Sequence, residues 1–168
     1  MSSTSESPLS VLRPMTAAEY AEWSKRSVIG YAADKVASGQ WTTEESLELS
    51  RKEHAELLPL GLETPDNHLF TVVDSEAAAV GMLWFAVKKK FGADVAYVFD
   101  IGIHPERQRE GHAARAFLAL EDEVRRLGLS GIALHVFGHN DAARALYARL
   151  GFRPTNISLF KPIEPTRA

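Results

Sequence analysis

The pattern of apolar and polar positions divides the chain into a helical first part and a strand-rich second part. Thr16-Ala17-Ala18-Glu19 reads as a capping box, its hydroxyl and carboxylate placed to satisfy the free N–H groups of a helix start. The helix it opens carries Tyr20 and Trp23 on its apolar side and is predicted to run to Ala37, where Ser38-Gly39-Gln40 stops it. Thr42-Thr43-Glu44-Glu45 repeats the signature and predicts a second helix to about Leu58, ended by Pro59 and Gly61. Ahead of both, Leu9 to Arg13 reads as an edge strand after a short tail over residues 1–8.

From His68 the period shortens. Leu69 to Asp74 and Ala79 to Lys88 predict a hairpin turning at Ser75-Glu76, and Val95 to Ile103 a third strand. Ala113, Phe117, Leu120, Val124 and Leu127 then recur on one face of a helix predicted over 111–127, with Gly128 suited to a left-handed cap. Ile132 to Phe137 reads as a short buried strand. Asn140 opens a last helix bearing Ala143, Leu146, Tyr147 and Leu150, which closes at Gly151. Phe152 to Thr155 and Ile157 to Lys161 read as final strand pieces. The order α-α-β-β-β-α-β-α-β after a first edge strand predicts a mixed α/β sheet in a single domain over 9–168.

Composition narrows the chemistry more than the fold. The chain has 168 residues, 45% hydrophobic and 24% charged, enough for one buried core. No run approaches the roughly 18 apolar residues of a membrane span, and the first residues lack the basic and apolar blocks of a secretory signal. A cytoplasmic protein with no membrane partner is expected. The absence of cysteine excludes disulfides, thiolate metal sites and a cysteine-bound acyl group. Gly128-Leu129-Ser130-Gly131 lacks the spacing of a serine nucleophile elbow. A net charge of −3 gives no nucleic-acid footprint. Residues 1–66 hold 11 acidic against 6 basic side chains, and residues 67–168 hold 11 against 13. An anionic ligand would favour the second part. His135 and His139 would stand about 13 Å apart in an extended segment, too far for one zinc ion, so no metal is expected.

The candidate chemistry begins where the Val95 to Ile103 strand breaks at His104-Pro105, crosses a charged loop and opens a helix at Gly111-His112-Ala113. Free N–H groups and the positive helix end converge at such a junction, which makes it an anion site. Within it, Gln108-Arg109-Glu110-Gly111-His112-Ala113 fits the pattern Q/R-x-x-G-x-G/A. Downstream, Asn140, Ala143, Tyr147 and Gly151-Phe152 fit N-x-x-A-x-x-x-Y-x-x-x-G-F. The two segments, in this order and separated by one strand, resemble the GNAT superfamily of N-acetyltransferases, and the resemblance covers essentially the whole chain.

That resemblance implies the GNAT fold and acetyl-CoA as co-substrate, with its pyrophosphate on the amides of Gln108, Arg109, Glu110, Gly111, His112 and Ala113. It implies a pantetheine arm along the backbone of Ile101, Gly102 and Ile103 and beside Asn140 and Ala143. It also implies that Tyr147 protonates the departing thiolate. Tyr147 equally reads as a core aromatic sharing a face with Ala143 and Leu150, and Asn140 as an N-cap. Arg109 stands where the family often has glycine. Glu110 stands where it often has a basic residue, and near a dianion this carboxylate must point outward. His135 and Asp100, with Tyr97 behind them, offer a general base for an ammonium acceptor. His135 occupies a position where the N-terminal-acetylating branch often carries Glu, and Asp100 on the preceding strand would act through water. Both also read as structural.

The implied acceptor is an amine, on a small molecule or on a protein or peptide, approaching over the first two helices and the loop at 59–67. The acidic first part, with Trp23, Trp41 and Glu63, suits a cationic amine or a protein N-terminus. A CoA-binding regulatory module of the same fold is the alternative, kept open by His135 in place of the family Glu. The family often pairs through its C-terminal strands, so a homodimer is among the expected assemblies.

Overall fold

The structure, a computed structural model, describes residues 11–166. The predicted tail over 1–8, and Leu9 and Ser10 of the predicted edge strand, lie outside the described residues. The helix starts follow the capping chemistry. Helix α1 is Ala17–Ala37, and Thr16 Oγ1 accepts from the Glu19 N–H at 3.2 Å while the Thr16 N–H donates to Glu19 Oε2 at 2.9 Å. Helix α2, Thr43–Leu57, repeats the reciprocal pair with Thr42 and Glu45. Glu19 does more than cap. Its carboxylate also accepts from Arg13 at 2.6 Å and from the Thr71 hydroxyl at 2.7 Å, tying the first two strands to the start of α1.

Five strands form one sheet in the order β1 (Leu12–Pro14), β2 (Asn67–Val73), β3 (Ala79–Lys90), β4 (Ala93–Ile103) and β5 (Ile132–Leu134). The first four pair antiparallel. Helix α3, His112–Arg126, carries the crossover that lets β5 pair parallel to β4. On one face, Met15, Trp23, Leu58, Leu69, Met82 and Trp84 form a buried cluster, with Tyr20, Leu62 and Phe99 packed against it. Strand alternation sends Leu83 and Phe85 to the other face, where they too are fully buried. Helix α3 lies against β4 and β1 and buries Ala116, Phe117, Leu120 and Val124. Each large side chain so enclosed contributes roughly 1.5–3 kcal/mol. Close to the candidate site β3 and β4 approach tightly: a Cβ at Gly81 would collide with the Gly102 carbonyl.

Among the described residues, those from Gly138 onward form a second compact unit. Its helix α4, Asp141–Arg149, starts as predicted, with Asn140 Oδ1 accepting from the Ala143 N–H at 3.2 Å, and the chain turns at Gly151 with φ +91°.

The mixed sheet and the element order match the sequence reading through α4, and two local expectations are corrected. The strand expected over 132–137 stops at Leu134, because β4 bulges just past Val98, the partner of Leu134, and leaves no ladder to continue. The strand pieces expected at 152–155 and 157–161 are not formed. Pro154 and Pro162 cannot donate to a ladder, and Ile157, Leu159 and Phe160 stay exposed despite their apolar character.

Candidate functional site

Strand β4 is interrupted where the chemistry was expected. Trp84 pairs with Asp100 and Phe85 with Val98, so Phe99 is an extra residue bulged out of the ladder. Phe99 stacks on Trp84 with ring centres 4.5 Å apart, and Trp84 meets Trp23 edge-on at 5.6 Å. Trp23 Nε1 donates to Asp100 Oδ2 at 3.0 Å. Burial pushes the Asp100 carboxyl above the usual carboxylate range. The Trp23 indole and the Ile101 amide pull it partly back, and the nearby Asp34 adds to the rise. His54 packs 5.5 Å from Trp23 with its Nε2 3.5 Å from Ser24 Oγ, and burial lowers its pKa. On the opposite edge, the β5 ladder ends at the Val98–Leu134 pair, while β4 runs on to Ile103.

Past β4, a 3₁₀ turn at Pro105–Arg107 leads into the loop that opens α3. Arg109 has φ +67° and Gly111 φ +82°, left-handed conformations on either side of Glu110. This explains why glycine is common at the position of Arg109: the loop needs a conformation that side chains resist. Gly111 caps α3 with no side-chain hydrogen bond, so the first amides of the helix lack the partner that α1, α2 and α4 supply themselves.

The Glu110 carboxylate is held by two side chains. Arg107 Nε donates to it at 3.0 Å, and His112 Nε2 lies 2.9 Å from the same oxygen. Arg115, which can only donate, reaches His112 Nδ1 at 2.9 Å, so Nδ1 accepts and the Nε2–H donates to Glu110. Arg107 also donates to Asp74 Oδ2 at 3.0 Å, which ties the β2–β3 turn to the loop. Hydrogen bonds from Arg107 first, and then from His112, hold the Glu110 carboxyl below its ordinary range. Gln108 anchors the loop by donating to the Ile103 carbonyl at 3.1 Å.

The structure therefore brings Asp100, Ile101, Gly102, Ile103 and residues 108–113 into one continuous strand and loop. His135 lies one residue beyond β5, exposed, with its ring edge-on to Phe137 at 5.1 Å. Asn140, Ala143 and Tyr147 belong to the second unit, where Tyr147 meets Phe152 edge-on at 5.6 Å. Sequence reasoning missed the Trp23–Asp100 link, which joins residues 77 apart, and the Asp74–Arg107 pair, because no local pattern encodes either contact. Among the described residues, no three His, Asp or Glu side chains gather as a metal ion would require, and no helix is long and apolar enough to cross a membrane.

Comparison with known proteins points the same way. Residues 23–152 match the profile of the "Acetyltransferase (GNAT) family". The uncharacterized N-acetyltransferase YycN of Bacillus subtilis is 34% identical over 153 residues, covering 91% of this chain and 98% of the relative. Its crystal structure superposes with a TM-score of 0.86 over 92% of this chain and 98% of that one. YdgE of the same organism, also an uncharacterized N-acetyltransferase, is 28% identical over 152 residues, covering 90% and 97% of the two chains. A shorter match, 38% identical over 64 residues, links 38% of this chain to 43% of the [Ribosomal protein bS18]-alanine N-acetyltransferase of Escherichia coli.

Proposed function

The chain belongs to the GNAT family of acetyltransferases, and on that footing we propose that it moves an acetyl group from acetyl-CoA directly to an acceptor amine. Acetyl-CoA, when bound, supplies that group as a thioester. The open amides at the start of α3, flanked by left-handed Arg109 and Gly111, suit a pyrophosphate; this is the observation that carries the reading. The stretch of β4 beyond its ladder with β5 suits an extended pantetheine arm, along Ile101, Gly102 and Ile103.

Asp100 is the base, directly or through water. A carboxyl held above its usual range accepts a proton from an ammonium more readily than an ordinary one. His135 is the second candidate, and its exposure past the end of β5 makes it the weaker one. Tyr147 donates a proton to the departing thiolate, a role supported by its place in the family motif with Asn140, Ala143 and Gly151-Phe152. The acceptor is a small amine or a peptide amine. The short match to an alanine N-acetyltransferase supports the peptide. The family's common C-terminal pairing makes a homodimer the proposed assembly, in the cytoplasm.

Free thiol release from acetyl-CoA over a panel of amines and peptides tests this. Tyr147→Phe is expected to slow acceptor-dependent release about a hundredfold. Asp100→Asn is expected to remove the acid limb of the pH profile. Wild-type activity falls as pH drops through the raised Asp100 pKa, because only the ionised carboxylate accepts a proton. Binding of CoA with no release for any acceptor would favour the regulatory alternative.

A further inference from the structure

Strand β3 ends in three consecutive lysines that behave differently. Lys89 turns to one face and donates to Asp94 at 3.1 Å. Lys88 and Lys90 share the other face, that of Trp84 and the β4 bulge. Lys88 pairs across the sheet with Val95, yet its ammonium lies 4.7 Å from the ring centre of Phe99, four residues further along β4, and 5.3 Å from that of Tyr97. The side chain, although exposed, therefore leans along the sheet toward the bulge. Lys90, which pairs with Ala93, leans the same way but reaches only Tyr97, at 5.0 Å. Aromatic faces attract a cation, and here they hold one lysine nitrogen over the bulged residue itself.

We propose that Lys88 is an acetylation site of the protein's own activity. This rests on the transfer reading above and extends it: an arm that leaves the amides of α3 and runs back along Ile103, Gly102 and Ile101 brings its thioester end toward the bulge at Phe99. The Lys88 ammonium gives one proton to solvent, and the free Nζ then forms a bond to the thioester carbonyl carbon. The C–S bond breaks, its electron pair leaves with sulfur, and the second proton lost from nitrogen ends on the CoA thiol. No oxidant or further reactant is needed. The product is a neutral amide at residue 88, so the charge that held the side chain over Phe99 and Tyr97 is lost. Holding nucleophile and acceptor carbon in one frame removes the cost of bringing them together, which makes Lys88 faster than Lys89 or Lys90 on the same strand.

The test is incubation of the full-length protein with acetyl-CoA, followed by fragmentation mass spectrometry that separates residues 88, 89 and 90. Acetylation of Lys88 is expected to outrun that of Lys89 at least about tenfold, with a first-order rate independent of protein concentration. Bromoacetyl-CoA gives a readout that needs no turnover: an amine beside the bound acyl group displaces bromide and is alkylated in place. Lys88 is expected to carry that label and Lys89 is not. Heat-unfolded protein should lose the preference, and Lys88→Arg, which keeps the cation over the rings, should lose the product while melting normally. Equal labelling of the three lysines, or a rate that rises with protein concentration, would overturn the proposal. Acetylation of an external amine with Lys88 untouched would overturn it too, while leaving the transfer reading intact.

Discussion

Helices α1 and α3 start in opposite ways, although both follow a strand and both serve the same sheet. At α1 the chain closes the helix end with its own groups: Thr16 and Glu19 cap each other, and Arg13 and Thr71 converge on the Glu19 carboxylate. At α3 the cap is Gly111, which brings no side chain. The carboxylate beside it in the chain, Glu110, is held by Arg107 and His112. A helix end of either kind presents the same unsatisfied N–H groups and the same positive potential. Satisfied from within, that potential stabilises the fold. Left open beside a strand edge, it is available to a ligand's phosphates. The two ends should therefore answer to different measurements.

The largest effect is expected at the closed end. Glu19→Ala removes a capping interaction and an ion pair together, and should lower stability by about 2 kcal/mol while leaving CoA affinity unchanged. Arg13 first, then Thr16 and Thr71, hold the Glu19 carboxyl at about 2 against an ordinary 4.5. Because the folded-state pKa is depressed, this contribution is fully present above about pH 4.5 and lost as pH falls toward 2. Denaturant melts of wild type and variant should thus differ most near neutrality and converge in acid. A constant difference down to the lowest pH would mean that the carboxylate charge is not what matters at this site.

This closed end was fully legible in the sequence, because a capping box is a local pattern with a local cause. Thr16 and Glu19 stand three apart, and nothing distant can move them out of reach of each other. The face of α3 and the Gly128 cap were legible for the same reason. The open end was legible as a motif but not as a geometry: the letters 108–113 do not say that Arg109 turns left-handed or that Glu110 points to Arg107. Other features depend on pairing between distant segments. The bulge at Phe99 fixes where β5 ends, and Trp23 meets Asp100 only once α1 lies on the sheet. At 157–161 an apolar run invites a strand, but a strand exists only where a ladder partner does, and none is formed there.

At the open end, Gly111→Ala sharpens the contrast with a smaller expected effect. Alanine at φ +82° pays the left-handed penalty of roughly 1 kcal/mol, and its Cβ would come within 2.9 Å of Arg115 Nη1. That guanidinium is the end of a flexible side chain and can swing aside, so the fold survives. The amides that open α3 shift with the turn. CoA affinity, measured by calorimetry, is therefore expected to fall about tenfold, equivalent to about 1.4 kcal/mol, a loss comparable to that in stability. A variant that melts lower yet binds CoA normally would break the comparison, because the open end would then be no more a ligand site than the closed one.

The smallest effect concerns the carboxylate beside the open end. Glu110 sits between two left-handed residues whose amides suit an anion, which makes a negative charge there a competitor for any phosphate. Its pairing with Arg107 and His112 limits that competition without abolishing it, because the charge itself remains within the loop. Glu110→Gln keeps the shape and a hydrogen-bond acceptor, removes the charge, and frees Arg107 of one of its two carboxylate partners. CoA affinity is expected to rise about threefold at low ionic strength, with the gain shrinking as salt screens the loop. If affinity instead falls, Glu110 acts as a brace: it holds Arg107 and His112 in place, and the loop's geometry matters more to the ligand than its charge.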